Sequence, residues 1–425
     1  MIVAVVVTVV AILGGYLIYL YVKSARIPDN EALTVTEIHS GQAEPGAGGE
    51  GEEDASAEFG SGSGEGGESA GSMAVMRTGI TYKALTYNIG FGAYDHAFSY
   101  FMEESTTARG DKVKGLMSRA ESEDSVKKNV GAAIDAAIEQ NPDIALFQEV
   151  DKNASRSYKI NQLHMMSDAF GERLGGEGES GGSLAEIYAG NFHSGWLLWP
   201  PTRPMGAVND SGIATYSRYR VNAAERVSLP IDESFFGRIT DIDRCFTVAR
   251  LPVGGSGAED SGNSEAQSGE GTVDSGSAGS EVVLINVHLS AYDAGEKMRG
   301  EQMKKLADYM AEERAKGNWV IAGGDWNQSF PGSIDAFTGR MAIPAWAKPF
   351  DESALPEGFT LITADNADII ATCRDTSIPW TPGVSYETIL DGWIVSDDVT
   401  ASAENIETDY QASDHNPVQL TFVLQ

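Results

Sequence analysis

Two cysteines, Cys245 and Cys373, in 425 residues are too few for a disulfide framework, and their spacing suits no metal knuckle. Buried thiols are expected, with a single bridge as the alternative if the body is exported. Basic side chains are also scarce: 30 Lys and Arg stand against 62 Asp and Glu, a net charge of -32. That balance argues against a broad basic groove for nucleic acid. An acidic protein can still act on phosphates if a bound divalent cation supplies positive charge locally. Large apolar side chains are almost missing from residues 41–75 and 254–280, which are mostly Gly, Ser, Glu and Asp. Burial cannot offset the ordering entropy of either stretch, so both are expected to be disordered. Segment 41–75 holds eight acids and segment 254–281 six, with no Lys or Arg, which leaves -18 on the remainder. No internal repeat is present.

One long apolar run stands at the N-terminus. Residues 2–22 carry no charge, enough for a single membrane-spanning helix. No small-x-small cleavage site follows, so an uncleaved anchor is expected. Lys23 and Arg26 after the run would place the body in the cytoplasm. The flexible acidic linker suits a tethered exported domain instead, and an extracellular body is the preferred expectation. The organisation expected is an anchor at 1–26, a disordered Gly/Ser-rich acidic linker at 27–78, and one α/β domain at 79–425 with a disordered insertion at 254–280. A monomer is expected.

Within the domain, Thr81 to Asn88 alternates like a strand, and Val126, Val130, Ile134 and Ile138 mark one face of a helix ended by Asn141-Pro142. Ile144 to Val150 reads as a buried strand with Glu149 near its end. Further strands are expected at 212–216, 245–251, 281–287, 319–325, 388–395 and 418–423, and a helix over 297–314. Strands mixed irregularly with helices suggest two packed mixed sheets flanked by helices.

Chemistry-bearing residues fall at the ends of these apolar runs. Asn88, Glu149, Asp325, Asn327 and Asp414 are oxygen ligands suited to Mg²⁺ or Mn²⁺, and His288 and His415 titrate near neutral pH. Each alone could be a turn, cap or core residue, but seven at strand ends point to metal-assisted phosphoester hydrolysis.

The motifs carrying these residues resemble the endonuclease/exonuclease/phosphatase superfamily, the DNase-I-like phosphoesterases, over about 81–424 without the insertion. They are Leu85-Thr86-Tyr87-Asn88-Ile89, Phe147-Gln148-Glu149-Val150, Ser211 to Tyr219, Asn286-Val287-His288-Leu289, Gly324-Asp325-Trp326-Asn327, Leu390-Asp391-Gly392-Trp393-Ile394 and Ser413-Asp414-His415, in family order. The resemblance implies a four-layer α/β sandwich. It implies Glu149 as principal metal ligand with Asn88 and Asp414 in support, and Asp325 and Asn327 holding the attacking water, the phosphate or a second ion. His415, oriented by Asp391, would act as base or stabilise the phosphorane, and His288 would protonate the leaving oxygen or hold a phosphate oxygen. Arg244 is the candidate phosphate-binding arginine, with a surface ion pair as its alternative; Arg218 is expected to be structural. His193, Trp196 and Trp199 could line a cleft or simply pack. His288 fits the nuclease, sphingomyelinase and phosphoinositide phosphatase branches. A tethered nuclease acting on DNA or RNA is the first expectation, and a lipid phosphodiesterase or phosphoinositide-type phosphatase the second. A catalytically silent binding module would lack one of these groups, and none is missing. An exposed apolar hairpin, for which Met341 to Trp346 and Ile378 to Trp380 are candidates, would favour the lipid.

Overall fold

The computed structural model describes residues 2–23, 27–39, 73–175, 182–195, 209–232, 234, 243–254, 280–291, 297–337 and 339–425. Most of the expected linker (40–72), the core of the insertion (255–279), Trp196 and Trp199 lie outside the described residues. Helix α1 (Ile2–Lys23) is long and apolar enough to cross a membrane.

Two mixed sheets pack face to face. The first runs β1 (Glu31–Leu33), β7 (Ala223–Ser228), β8 (Cys245–Gly254), β9 (Glu281–His288), β10 (Trp319–Asp325), β12 (Asp391–Ser396), β11 (Phe359–Ile362). The second runs β13 (Val399–Asn405), β14 (Val418–Leu424), β3 (Thr81–Asn88), β4 (Ile144–Ala154), β6 (Asn209–Ser217), β5 (Ser183–Ser194), β2 (Val35–His39). Neighbours are antiparallel except β9 with β10 and β3 with β4.

Strand alternation builds the layers. In β9, Val282 and Leu284 enter the core between the sheets, while Val283, Ile285 and Val287 face the outer helix. In β3, Tyr82 and Ala84 face inward, while Leu85 and Tyr87 pack under α2 (Glu123–Glu139) and α3 (Gln162–Arg173). A reciprocal Ser122–Ser125 capping box starts α2, with Glu123 and Asp124 at the positive end of its dipole. Its Val126, Val130, Ala133 and Ala137 meet Phe147 and Tyr87. Helix α4 (Lys297–Ala315) covers the other sheet through Met303, Leu306 and Met310. The expected sandwich with flanking helices is therefore present.

The linker boundary needs correction. Residues 31–39, placed in the linker by composition, form β1 and β2, paired Glu31 with Arg226 and Val35 with Ile187. Both are short and half-polar, yet Leu33 and Val35 pack against the inter-sheet core. Met73 and Met76 are buried in the same core. The expected strand at 388–395 is also broken, and β12 begins only at Asp391.

Glu313 locks α4 to the sheet. Its carboxylate accepts from Arg250 of β8 at 2.7 and 3.0 Å, Lys316 at 2.7 Å and Asn318 at 2.8 Å. Burial alone would raise its pKa, but these donors override burial and hold it down at about 2. A depressed carboxylate contributes stability above its unfolded pKa that is lost as pH falls through the folded value. Glu313→Gln is therefore expected to cost about 3 kcal/mol in urea unfolding at neutral pH. The deficit should shrink as pH falls from about 4.5 towards 2.

Candidate active site

Parallel pairing brings the ends of β3, β9 and β10 and the Gln148–Glu149 bulge within β4 to one edge, and antiparallel β12 and β14 begin there. Register aligns the chemistry: His288 lies directly across from Asp325, and Asp325 across from Asp391. Gly324, at φ +151°, allows the tight β9–β10 approach, since a Cβ there would sit 2.0 Å from Val287 O. Gly90, at φ +53°, suits the turn after Asn88, where an added Cβ would sit 3.0 Å from an Asp414 carboxylate oxygen.

Two site residues take left-handed backbone that side chains rarely adopt. Glu149 (φ 58°) sits where the β4–β6 register shifts, and Asn327 (φ 50°) follows β10. Such positions cost on the order of 1–3 kcal/mol and persist where surrounding structure imposes them. At Glu149 the bulge leaves the carboxylate within 3.6 Å of His288 Nε2.

Asp325 is the hub. Its Oδ2 accepts from Asn88 Nδ2 at 3.0 Å and lies 3.6 Å from His288 Nε2 and 3.9 Å from His415 Nε2. Its Oδ1 accepts from the Asn327 backbone N–H at 2.9 Å. Asn327 is fixed in turn by Nδ2 donating to Leu289 O and by Arg299 donating to its carbonyl. His415 Nδ1 pairs with Asp391 Oδ2 at 2.9 Å, and the Thr372 hydroxyl accepts from the Asp391 N–H. Cys373 Sγ lies 3.7 Å from His415 Nε2. Both cysteines are free and buried, and burial pushes the Cys373 thiol up to about 12.

Electrostatics divides the imidazoles. Burial, Arg244 and His415 hold His288 well below its ordinary pKa, so it is neutral. Burial also opposes charge on His415, but Asp391, Cys373 and Asp325 outweigh it and hold its pKa well above the ordinary value. Burial, Asp414 and Asp325 push Glu149 up to about 8 against the pull of His415 and Arg156. Burial likewise raises Asp414.

Four carboxylates thus crowd one edge with too little compensating charge, and this donor set fits a divalent cation. Ligand atoms of Asp325, Asp391 and His415 lie within 4.8 Å of one another. The hydrogen bond between Asp391 and His415 already accounts for much of that closeness. Glu149, the expected principal ligand, is not in that group; burial and the like charge of Asp414 and Asp325 raise its pKa.

The structure brings Asn88, Glu149, His288, Asp325, Asn327, Asp391, Asp414 and His415 to this edge. Arg244 is buried just before β8, outboard of His288, with Nε and Nη1 lacking hydrogen-bond partners among the described residues. Arg218 is structural, donating to Asn141. His193 is exposed on β5. Trp346 packs against Tyr386 and Trp380 against Tyr410, so in the two expected lipid-facing stretches Ile343 alone is a large exposed apolar residue.

Several supporting residues gave no sequence signal. Arg156 pairs with Asp151 at 2.9 Å, stacks 3.2 Å from the Phe91 ring and pulls down the Glu149 pKa. Arg374 is buried and donates to the carbonyls of Asp95 and Phe98, while its N–H donates to Asp414 O, which pins the loop carrying Asp414 and His415. Beneath the site, Asn286 of one sheet donates to Phe147 O and Ala214 O of the other and accepts from Gln148 at 2.8 Å. These buried bonds fix the sheets relative to each other directly under Asp325.

The family model described as Endonuclease/Exonuclease/phosphatase family matches residues 85–415. No curated protein matches the sequence. Similar solved structures include an endonuclease/exonuclease/phosphatase from Beutenbergia cavernae, 13% identical, TM-score 0.48, covering 81% of this chain and 72% of that one. The human Nocturnin catalytic domain is 15% identical, TM-score 0.44, covering 83% and 97%. Truncated Caenorhabditis elegans TDP2 is 14% identical, TM-score 0.43, covering 81% and 98%.

Proposed function

Because the chain belongs to the endonuclease/exonuclease/phosphatase family, we propose that it is a divalent-metal-dependent phosphodiesterase, a nuclease tethered to a membrane by its N-terminal helix. The observation that carries this reading is the convergence of Glu149, Asp325, Asp391 and Asp414 with His288 and His415 at one sheet edge.

Glu149 would hold the Mg²⁺ or Mn²⁺, with Asn88 and Asp414 beside it. Such an ion, when bound, neutralises charge on the phosphate oxygens and lowers the pKa of water. Asp325, its two oxygens fixed by Asn88 and Asn327, orients the attacking water and accepts its proton. His415, charged and held by Asp391, faces the same position and stabilises the phosphorane. Neutral His288 donates a hydrogen bond to a phosphate oxygen or the leaving oxygen. The same edge would serve a lipid phosphodiester, and the membrane-capable helix favours that second reading by raising the local concentration of lipid.

The test is hydrolysis by the full chain in detergent, with Mg²⁺ or Mn²⁺ and with chelator, of supercoiled plasmid and of sphingomyelin vesicles. Chelator-sensitive nicking of plasmid alone supports the nuclease; turnover of vesicles alone overturns it in favour of the lipid reading. Deleting 255–279 is expected to leave kcat/KM unchanged, because Pro252 and Glu281 are already paired across the β8–β9 hairpin and a short turn can join them. A loss of turnover would give that segment a role.

A further inference from the structure

Outboard of His288, at the same edge, lies a cavity of about 440 Å³ between the ends of β7 and β8, with Lys305 of α4 and residues Ile27 and Asp29 among its walls. It holds three cations, Arg226, Arg244 and Lys305, against two carboxylates, Asp29 and Asp243, in a chain of net charge -32. The cations differ in what they have left to give. Arg226 is spent on the carbonyls of Gly190, Pro28 and Asp243 and on the Ser228 hydroxyl. Arg244 is 5% exposed and its Nε and Nη1 donate to nothing among the described residues, a cost few buried guanidinium groups bear without a ligand. Lys305 has no ion-pair partner among the described residues. Asp243 is engaged by the Ile27 N–H at 3.0 Å. Gln302 fixes this cavity to the cleft, donating to Pro230 O on the cavity wall and to Ser290 Oγ just past His288.

Resting on the proposed phosphodiesterase reading, we propose that Arg244 and Lys305 form a second phosphate subsite, which takes a neighbouring phosphate of a nucleic-acid strand whose scissile phosphate lies at His288 and Asp325. The cavity begins one strand from His288 and ends two strands away, about 10 Å at ordinary strand spacing. A substrate with a single phosphate cannot fill both positions. A strand with a phosphate at every nucleotide can. Ile27 on the cavity wall stands only four residues past α1, so a phospholipid headgroup is the competing occupant that the test separates from a nucleic-acid strand.

Binding of a short single-stranded phosphorothioate oligonucleotide to the full chain in detergent with Mg²⁺, read by fluorescence anisotropy, tests the subsite without requiring turnover. Arg244→Gln and Lys305→Gln should each weaken binding, by about tenfold for Arg244. Each should reduce the salt slope of log Kd by about 0.7. With a cleavable oligonucleotide, KM should rise more than kcat falls. Wild-type affinity and salt slope in both folded variants would overturn the subsite, as would displacement of the oligonucleotide by phosphoinositide vesicles with equal effect on wild type and variants. Weakened binding in the variants, beside a wild type that cleaves nothing, would keep the subsite and remove the nuclease reading.

Discussion

His415→Ala is expected to lower kcat by about 10³-fold or more while the protein stays folded. The imidazole is held by Asp391 at 2.9 Å and stands 3.9 Å from the Asp325 carboxylate, beside the position that the proposed mechanism gives to the phosphorane. Its loss removes the cation that most offsets Asp391, whose pKa is already pushed up to about 6 by burial. Asp391 can take up a proton in the variant, which limits the folding penalty. Asp391→Asn should give a loss of similar order, because the amide no longer favours the charged imidazole. The double variant should be little worse than either single one, since the two side chains act as a unit. Stopped-assay kcat beside circular dichroism melting checks this; additive losses would separate the pair, and near-normal turnover in His415→Ala would remove the mechanism.

Glu149→Gln is expected to abolish metal-dependent turnover and, with chelator present, to melt above the wild type. Both effects have one cause. Glu149 is held in left-handed backbone beside Asp414 and Asp325, where burial and like charge push its pKa up to about 8. Neutralising it relieves that repulsion in the metal-free protein. Mg²⁺ or Mn²⁺ should then raise the melting temperature of the wild type, by the equivalent of about 3 kcal/mol at a hundredfold excess over Kd, and leave the variant unmoved. A metal-dependent rise that persists in Glu149→Gln would place the cation elsewhere, with Asp325 and Asp391 as the next residues to vary.

Much of the site was legible because strands deliver their last residue to an edge. Asn88, His288 and Asp325 end apolar runs, and Asp391 and His415 stand just before or at the start of such runs. The register that sets His288 opposite Asp325 is not written in either run, because it depends on the Gly324 approach and on pairing between segments far apart in sequence. Arg156 and Arg374 were not legible for a similar reason: beyond nearby Asp151, Arg156 meets Ser211 and a ring 65 positions earlier, and Arg374 meets carbonyls nearly 280 positions away. β5 and α3 escaped because neither has a strong pattern, and β1 and β2 because short half-polar strands resemble the linker beside them.

Strands β1 and β2 are separated by Thr34 alone, yet each covers part of one edge of a different sheet. Without them, Ala224–Arg226 and Ser183–Ile187 would present bare rows of amides and carbonyls, a template for pairing with other chains. The residues just after the membrane-capable helix therefore guard against aggregation. Proteolytic release of the body by a cut after His39 would yield a species inclined to associate edge to edge, whereas a cut near Ile27 would shed a domain that keeps both covering strands.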